Sequence, residues 1–391
     1  MISRWPVGLR IRRTLLAASN RWWGKHRGRI AWQNPPEQDS TKTRQAGAIF
    51  PKESGVSFGS PGKTPPRCTN GDTAMKSLAL TTAAALMAST AVIAQVETRT
   101  VTFENEGAVL SGTLYLPEDR GEGPLPTVVV TGAWTSVQEQ MPANYAREMA
   151  ERGFAALTFD FRGWGKSGDL PNNVRFVESP EAKTSDIKAA FEFVATLSEV
   201  DADHINGLGI CASAGYMVDA VADNPLVDRL GLVAPWLHNK EIAESVYGGK
   251  EGVAGLIEIS HAAQAKGGEL IPAAGPEGAE GVLMPIGGYY FEVDRGAIPE
   301  YDNKWNNAGW EGWLTYHPAD NAQRLDKPLA IVHSESAAIP QGVQTFLAGL
   351  AGEATAQWLE GVTQFDFYDN PEDVARAADT VANHFRNGLN G

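Results

Sequence analysis

The sequence predicts an α/β protein in which helices cover both faces of a mostly parallel β-sheet. Continuously apolar segments such as 127–131 (TVVVT) are typical of strands that are buried on both faces. They alternate along the chain with segments such as 185–197, in which apolar residues recur at helical spacing. Repeated strand–helix–strand units of this kind favour a parallel sheet with crossover helices on each face.

The predicted elements run in chain order from a β-hairpin to a C-terminal helix. The strands of the hairpin alternate apolar and polar residues, whereas the later strands are short apolar runs. The predicted strands are 101–103, 109–116, 127–131, 154–159, 205–210, 229–234 and 329–333. The predicted helices are 144–152, 185–197, 214–222, 341–351 and 371–385. Residues 236–326, rich in Gly, Pro, Trp and Tyr, interrupt this alternation and are predicted to form a cap inserted over the carboxyl ends of the strands.

Residues 75–94 have the pattern of a secretory signal peptide, with a basic start, a short apolar run and small residues leading to Ala94. A signal peptide belongs at the N-terminus, so we expect Met75 to be the true start and the basic residues 1–74 to be upstream sequence translated in error. The alternatives are a genuine basic extension at 1–74 and a buried apolar helix at 75–94. The expected mature protein is residues 95–391, located in the periplasm or secreted from the cell.

Composition and charge exclude several classes of protein. The chain has 33 Lys and Arg against 47 Asp and Glu, a formal net charge of −14, which argues against a nucleic-acid binder. No apolar run reaches the roughly 18–20 residues of a membrane-spanning helix, so no stable membrane anchor is expected after signal cleavage. Two cysteines, Cys68 and Cys211, are too few for a disulfide framework or a cysteine-based zinc site. The sequence implies no metal and no organic cofactor.

A sharp strand-to-helix turn is predicted at Cys211, with the small residues Gly209 and Ser213 two positions away on either side. This spacing matches the G-x-S-x-G nucleophile elbow, with cysteine in place of serine. The helix N-terminus beneath the turn is expected to lower the pKa of the thiol. A second register makes Ser213 the nucleophile between Cys211 and Gly215. Cys211 is preferred, because a strand that begins at Ile205 has the usual length if it ends at Cys211. The structural alternative is a buried cysteine without a chemical role.

Several further segments, together with this turn, carry a resemblance to a known family. These segments are 128–132, 139–141, 160–168 (DFRGWGKSG), 207–215, 233–236, 332–335 and 365–369. Through them the chain resembles the α/β-hydrolase superfamily, especially the secreted, esterase-like bacterial branch of its dienelactone-hydrolase-like group. The resemblance implies an α/β-hydrolase fold and hydrolysis of a small-molecule ester, lactone or thioester.

The resemblance also implies an oxyanion hole, which two backbone N–H groups form around the developing negative charge. One N–H would come from Ala212, the residue after the nucleophile. The other would come from Ala133 or Trp134, in the loop after the strand at 127–131. Trp236 and His238, after the strand at 229–234, are candidates for lining the same site, as is Ser213.

The remaining catalytic positions depart from the family pattern. Ser336 stands where the resemblance implies the catalytic acid, and the neighbouring Glu335 is the candidate substitute. Gln364 stands where it implies the catalytic histidine, and an amide cannot act as a general base at neutral pH. Asp366, close to Gln364, is a further candidate for lining the site.

Another histidine must therefore supply the base if the protein is an enzyme. His333 is the first choice, because the carboxyl end of its strand should face Cys211. His238 and His317 are the other candidates, and for all three the structural alternative is a hydrogen-bonded histidine without a catalytic role. The prediction is a secreted hydrolase in which Cys211 attacks a carbonyl and His333 moves the proton.

The alternative function is a catalytically impaired binding or scaffold protein, because Gln364 replaces the expected histidine. The two functions are distinguished by whether a histidine nitrogen lies within about 4 Å of the Cys211 sulfur. A thiol-based redox role is disfavoured, because residues 95–391 contain no second cysteine.

Overall fold

A computed structural model describes residues 96–390, with only the backbone of Asn390. The predicted signal peptide at 75–94 and the basic segment 1–74 lie outside the described residues. Within residues 96–390, no helix is long and apolar enough to cross a membrane. In the same range, no group of three His, Cys, Asp or Glu side chains is arranged to hold a metal ion.

An eight-stranded sheet forms the centre of the described chain, in the order β1-β2-β4-β3-β5-β6-β9-β10. The β1–β2 and β2–β4 pairs are antiparallel, and every other pair in this sheet is parallel. Strands β7 and β8 form a separate antiparallel pair. The strands are β1 (Val96–Asn105), β2 (Ala108–Pro117), β3 (Leu125–Thr131), β4 (Ala155–Phe159), β5 (Val200–Ile210), β6 (Val227–Val233), β7 (Leu270–Pro272), β8 (Lys304–Asn306), β9 (Leu329–His333) and β10 (Ala354–Trp358).

The helices cover the sheet in two separate pairs, α1 with α9 and α2 with α3. Short 3-10 segments occur at Pro171–Asn173, Asn307–Gly309, Pro318–Arg324 and Asn387–Asn390. The α-helices are α1 (Met141–Glu151), α2 (Pro180–Val194), α3 (Ser213–Val221), α4 (Lys240–Val246), α5 (Gly249–Gln264), α6 (Trp310–Thr315), α7 (Pro340–Gly349), α8 (Asp366–Asp369) and α9 (Pro371–Arg386).

The prediction of a mostly parallel sheet with helices on both faces is confirmed. Every predicted strand and helix has a counterpart, although β1, β5 and α2 begin several residues earlier than expected. Because β5 begins at Val200, the strand length that favoured Cys211 over Ser213 in the sequence is not the length observed. The edge strand β10 was missed, because its five residues are mostly exposed and lack the apolar run of a buried strand. The stretch between β6 and β9 contains α4, α5, β7, β8 and α6, and covers the region predicted as the cap.

The sheet order creates a crevice between the carboxyl ends of β3 and β5. After β3 the chain moves to β4 on one side, and β5 lies on the other side of β3. Open parallel sheets bind their ligands at such a switch point, because the loops that follow the two strands turn in opposite directions. Trp134 follows β3 and Cys211 follows β5, so both reach this crevice.

Asp160 joins two of the loops at this end of the sheet. One carboxylate oxygen accepts a hydrogen bond from the backbone N–H of Gln138 (2.8 Å), and the other accepts one from the backbone N–H of Lys166 (3.0 Å). Burial raises the pKa of Asp160 to about 6, and these donors offset part of that rise. Gly165, at φ +47°, leaves room for the carboxyl group, because a Cβ there would lie 2.4 Å from it. Asp160 therefore fixes the loop after β3 to the turn after β4.

Replacing Asp160 by asparagine is expected to destabilise the protein. The amide nitrogen of the new side chain would face a backbone N–H donor, which leaves a buried donor without an acceptor. We expect Asp160→Asn to lower the free energy of unfolding at pH 7 by about 1–3 kcal/mol, measured by urea denaturation. The exposed Asp119→Asn is the matched control and should unfold like the wild type. Equal stability of both variants would show that the carboxylate does not hold the two loops together.

Candidate active site

Cys211 lies in a strained turn between β5 and α3. Its φ of +56° is in the left-handed region, which non-glycine residues rarely adopt. The turn is tight, because a Cβ on Gly209 would lie 2.8 Å from the Cα of Ala214. Two backbone hydrogen bonds hold it: the Cys211 N–H donates to the Val233 carbonyl (3.1 Å), and the Trp236 N–H donates to the Cys211 carbonyl (2.8 Å). The backbone therefore has the geometry of a nucleophile elbow centred on Cys211.

Ser213 is part of the turn itself. Its side chain is completely buried. Its hydroxyl donates to the Ile210 carbonyl (3.1 Å) and accepts from the Ile210 N–H (3.2 Å) and the Thr131 hydroxyl (2.9 Å). This hydroxyl is fully engaged in holding the ends of β3 and β5, so the geometry favours the register with Cys211 at the centre.

The Cys211 sulfur is surrounded by hydrogen-bond donors. The backbone N–H groups of Ala212 and Trp134 and the hydroxyl of Tyr368 all interact with it and lower the pKa of the thiol. Burial has the larger effect, and the Glu178 carboxylate adds to it, so the pKa of Cys211 rises to about 11. The N–H of Ala212, at the N-terminus of α3, lowers the pKa of the thiol as expected, but desolvation of the thiolate outweighs this effect.

Of the two candidates after β3, the N–H of Trp134 is the one that faces the sulfur. The carbonyl of Ala133 accepts hydrogen bonds from the backbone N–H (3.2 Å) and the hydroxyl (2.7 Å) of Ser136, which closes the turn. The indole ring of Trp134 stacks on Trp313 and packs against Trp305 in the insertion, with centroid distances of 5.0 and 4.7 Å. The insertion thus fixes the residue that supplies the second donor.

His333 does not reach Cys211. It ends β9, which is separated from β5 by β6, and its ring packs edge-on against Trp358 of the outer strand at 5.4 Å. The side chain is completely buried. Burial lowers its pKa to about 4, although a hydrogen bond with the Ala338 backbone, in the loop after β9, raises it. His333 is not among the groups that act on the thiol, since β6 separates its strand from β5 and its ring packs on Trp358.

Glu335 does not orient His333. Its side chain is exposed and accepts a hydrogen bond from the Gln344 amide (3.1 Å) on α7. Ser336, at the position implied for the catalytic acid, donates its backbone N–H to the Ser334 hydroxyl (3.0 Å). The loop after β9 therefore brings no carboxylate to the thiol.

His238 is also not a partner of the thiol. Its Nε2 lies 3.2 Å from the Trp313 carbonyl, its ring packs on the Trp313 ring at 4.6 Å, and burial lowers its pKa to about 4. Trp236 contributes its backbone N–H to the elbow, as described above. None of the histidines in residues 96–390, His317 included, is among the hydrogen-bond partners of the Cys211 sulfur.

Gln364 links three loops at the crevice. Its Oε1 accepts from the Ala338 N–H (3.0 Å), and its Nε2 donates to the Ala234 carbonyl (2.9 Å) and to the Tyr368 hydroxyl (3.0 Å). Asp366 shapes the turn that carries Gln364, because its Oδ2 accepts from the N–H (2.8 Å) and hydroxyl (2.6 Å) of Thr363. Neither residue contacts the sulfur directly, and Gln364 acts on it through Tyr368.

Tyr368 is the residue of the site that the sequence analysis missed. It lies in the segment 365–369, which carried part of the family resemblance, and it follows Gln364 by four positions, one turn of helix. That spacing was the feature of the sequence that could have placed Tyr368 beside Gln364 at the site. A buried Glu178, bonded to Lys183 (2.7 Å) and Tyr216 (2.8 Å), is a second unpredicted group with an electrostatic effect on the thiol.

Comparison with known proteins agrees with this architecture. A family model described as esterase FrsA-like matches residues 63–174. The uncharacterized protein PA2218 of Pseudomonas aeruginosa is 45% identical over 130 residues, 33% of this chain and 34% of that protein. The crystal structure of PA2218 matches with a TM-score of 0.65 and 28% identity, over 75% of this chain and 94% of that one. The α/β hydrolase GrgF from Penicillium sp. sh18 has the same fold, with a TM-score of 0.59 and 17% identity over 74% of this chain and 99% of that one.

The described residues have the α/β-hydrolase fold. A thiohydrolase of Eupenicillium brefeldianum is a further relative, 33% identical over 118 residues, 30% of this chain and 36% of that protein. The aligned segments span about one third of the length of these curated relatives. In this fold the elbow and two backbone N–H groups adjoin the thiol, whereas an amide occupies the position where the resemblance implies a histidine.

The buried His333 is expected to make the stability of the protein depend on pH. The folded protein keeps the ring neutral down to pH about 4, whereas the unfolded chain binds a proton near pH 6.5. Acidification through this window therefore favours the unfolded state. Between pH 7.5 and pH 4.5 the free energy of unfolding should fall by about 2–3 kcal/mol more in the wild type than in His333→Leu, measured by urea unfolding.

The control for this experiment is Val332→Ala, which weakens the same strand without removing a titrating group. It should show the wild-type dependence on pH. If His333→Leu shows that dependence as well, the ring is protonated in the folded protein and the structural account of it is incorrect.

Proposed function

We propose that this protein hydrolyses ester-type bonds of small molecules with Cys211 as the nucleophile. The observation that carries the proposal is the placement of the thiol at a nucleophile elbow, next to the N–H groups of Ala212 and Trp134. Donors in this position stabilise the oxyanion that forms when a carbonyl is attacked. Similarity to an esterase family model over residues 63–174 and the shared fold support a hydrolase.

The reaction begins with loss of the thiol proton to water. The thiolate sulfur then bonds to the carbonyl carbon, and the π electrons move to the oxygen, which the two N–H groups hold. When the carbonyl re-forms, the bond to the leaving oxygen breaks, and the alkoxide takes a proton from water to become an alcohol. Attack of water on the resulting thioester gives the carboxylic acid and returns the thiol.

Release of the acyl group is expected to be the slow step. Water is a weak nucleophile and needs a general base, whereas Gln364 offers only an amide in the position of the base. An acyl-enzyme on Cys211 should therefore accumulate. The similarity to the thiohydrolase supports thioesters, beside esters and lactones, as a substrate class.

A second candidate function is the binding of a small carbonyl compound without turnover. Two observations favour it: no histidine of residues 96–390 is bonded to the thiol, and burial raises the pKa of Cys211 to about 11. Under this alternative the donors around the sulfur hold a ligand oxygen and no covalent bond forms.

Export of the protein is part of the proposal. Residues 75–94 supply the signal-peptide pattern, and the mature chain would begin at Gln95. N-terminal sequencing of the protein from a bacterial periplasmic fraction should find Gln95 as the first residue. A first residue at or before Met75 would exclude cleavage at Ala94.

The nucleophile is tested by acylation with p-nitrophenyl acetate and p-nitrophenyl butyrate. We expect a burst of about one equivalent of p-nitrophenol followed by slow release, and one added acyl group on the Cys211 peptide in the mass spectrum. Cys211→Ala should abolish both. His333→Leu should retain both, because the ring does not contact the thiol. A folded wild type that takes up no acyl group from either ester would contradict the hydrolase and favour the binding protein.

Restoring a base at position 364 is expected to speed up turnover. Gln364→His places an imidazole in the loop that adjoins the thiol, and a positioned base contributes about 10²-fold or more to such steps. We expect the steady-state release of the acyl group to rise by about that factor, measured as p-nitrophenol production after the burst. Gln364→Asn, which keeps an amide, is the control and should not gain. An unchanged rate in Gln364→His would show that release is limited by something other than the missing base.

A further inference from the structure

We propose that Tyr368 is a catalytic residue whose hydroxyl is held as a hydrogen-bond donor to the Cys211 sulfur and stabilises the thiolate that attacks the substrate. This inference rests on the proposed function, because it names a further residue for the same reaction. In this proposal the Gln364 side chain positions Tyr368. The argument depends on which atoms around the phenol donate and which accept.

The orientation of the Gln364 amide is fixed by two backbone groups of opposite character. The N–H of Ala338 can only donate, so it selects Oε1 as its partner at 3.0 Å. The carbonyl of Ala234 can only accept, so it selects Nε2 at 2.9 Å. If the amide were reversed, Nε2 would face the N–H of Ala338 and Oε1 would face the carbonyl of Ala234, so neither hydrogen bond could form. Nε2 is therefore the atom that lies 3.0 Å from the Tyr368 oxygen, and it donates to that oxygen.

The Tyr368 hydroxyl is also hydrogen-bonded to the Cys211 sulfur and to the Tyr290 hydroxyl, which the insertion contributes. A thiolate has no proton, so the Tyr368 O–H is the donor in the hydrogen bond with the ionised sulfur. The single O–H of Tyr368 is then used, so the Tyr290 hydroxyl donates to the phenol oxygen. The direction of the O–H therefore follows from ionisation of the sulfur.

The sulfur consequently faces three donors: Tyr368 O–H, Ala212 N–H and Trp134 N–H. Hydrogen bonds to an anionic atom are stronger than those to a neutral one, so these donors offset part of the rise that burial causes in the pKa of Cys211. Burial raises the pKa of Tyr368 well above its usual value, so the phenol keeps its proton while the sulfur reacts. Tyr368 therefore acts throughout as a donor, and the thiol proton passes to water.

Other ionisable groups act on the thiol from the surrounding elements. The Glu178 carboxylate, before α2, opposes ionisation of Cys211 and is itself paired with Lys183. The hydroxyls of Tyr216 on α3 and Tyr247 after α4 lie within electrostatic reach. The hydroxyl of Tyr290, in the insertion, also lies within electrostatic reach of the Cys211 thiol. These groups are unchanged in a Tyr368→Phe variant, so its effect reports on the phenol O–H alone.

The test measures the ionisation of Cys211 without a substrate. The full-length protein is alkylated with iodoacetamide between pH 7 and pH 10, and labelling of the Cys211 peptide is followed by mass spectrometry, which separates it from Cys68. Only the thiolate is alkylated. Loss of a hydrogen bond to a charged atom should lower the rate in Tyr368→Phe about tenfold at each pH and move the profile to higher pH.

Three further variants complete the experiment. Tyr290→Phe and Gln364→Leu keep the Tyr368 ring in place but remove a donor behind it, so we expect smaller shifts in the same direction. Tyr289→Phe removes the hydroxyl of a ring that packs on Tyr368 at 5.2 Å, and it should match the wild type.

An unreactive wild-type thiol, or identical profiles in the wild type and in folded Tyr368→Phe, would overturn the proposal. If Tyr368→Phe does not fold, Tyr290→Phe decides, and a wild-type profile there overturns it. Failure of the esters to acylate Cys211 would leave these profiles unchanged, so it would count against the proposed function alone.

Discussion

The left-handed backbone of Cys211 is the constraint on which the rest of the site depends. A non-glycine residue holds this conformation only when its surroundings leave it no alternative. Here the Ser213 hydroxyl supplies that support, because it bonds to both backbone groups of Ile210 and to the Thr131 hydroxyl at the end of β3. The same contacts bring the ends of β3 and β5 together. The N–H of Trp134, just beyond β3, is thereby placed against the sulfur.

The insertion between β6 and β9 sets the polarity around the thiol. Its tryptophans, Trp305, Trp310 and Trp313, pack around Trp134 and are almost completely buried. They exclude water from the elbow, and the loss of hydration raises the pKa of Cys211 more than the nearby donors lower it. The same exclusion of water strengthens every hydrogen bond to an oxyanion at this place. Low thiol acidity and the oxyanion stabilisation required by the proposed reaction therefore have one physical origin.

The sequence predicted the sheet and the elbow because both depend on local signals. Buried parallel strands are continuous apolar runs, and the elbow needs small residues at fixed spacing around Cys211. The separation of His333 from the thiol was not predictable, since it depends on the position of β6 between β5 and β9 in the sheet. Tyr368 was missed for a related reason. Its four-residue spacing from Gln364 acquires meaning only after the loop beyond β10 is placed beside the elbow.

Replacing a histidine by Gln364 changes the character of the site. An imidazole accepts a proton, whereas the fixed amide of Gln364 can only donate toward Tyr368. The sulfur is thus surrounded by donors, which suit a thiolate and an oxyanion, and lacks an acceptor that could activate water. In the proposed reaction such an environment favours formation of the thioester over its hydrolysis, because the first step creates negative charge at the donors and the second requires removal of a proton from water. An attacking molecule that is a better nucleophile than water would meet no comparable barrier, since it has less need of a base.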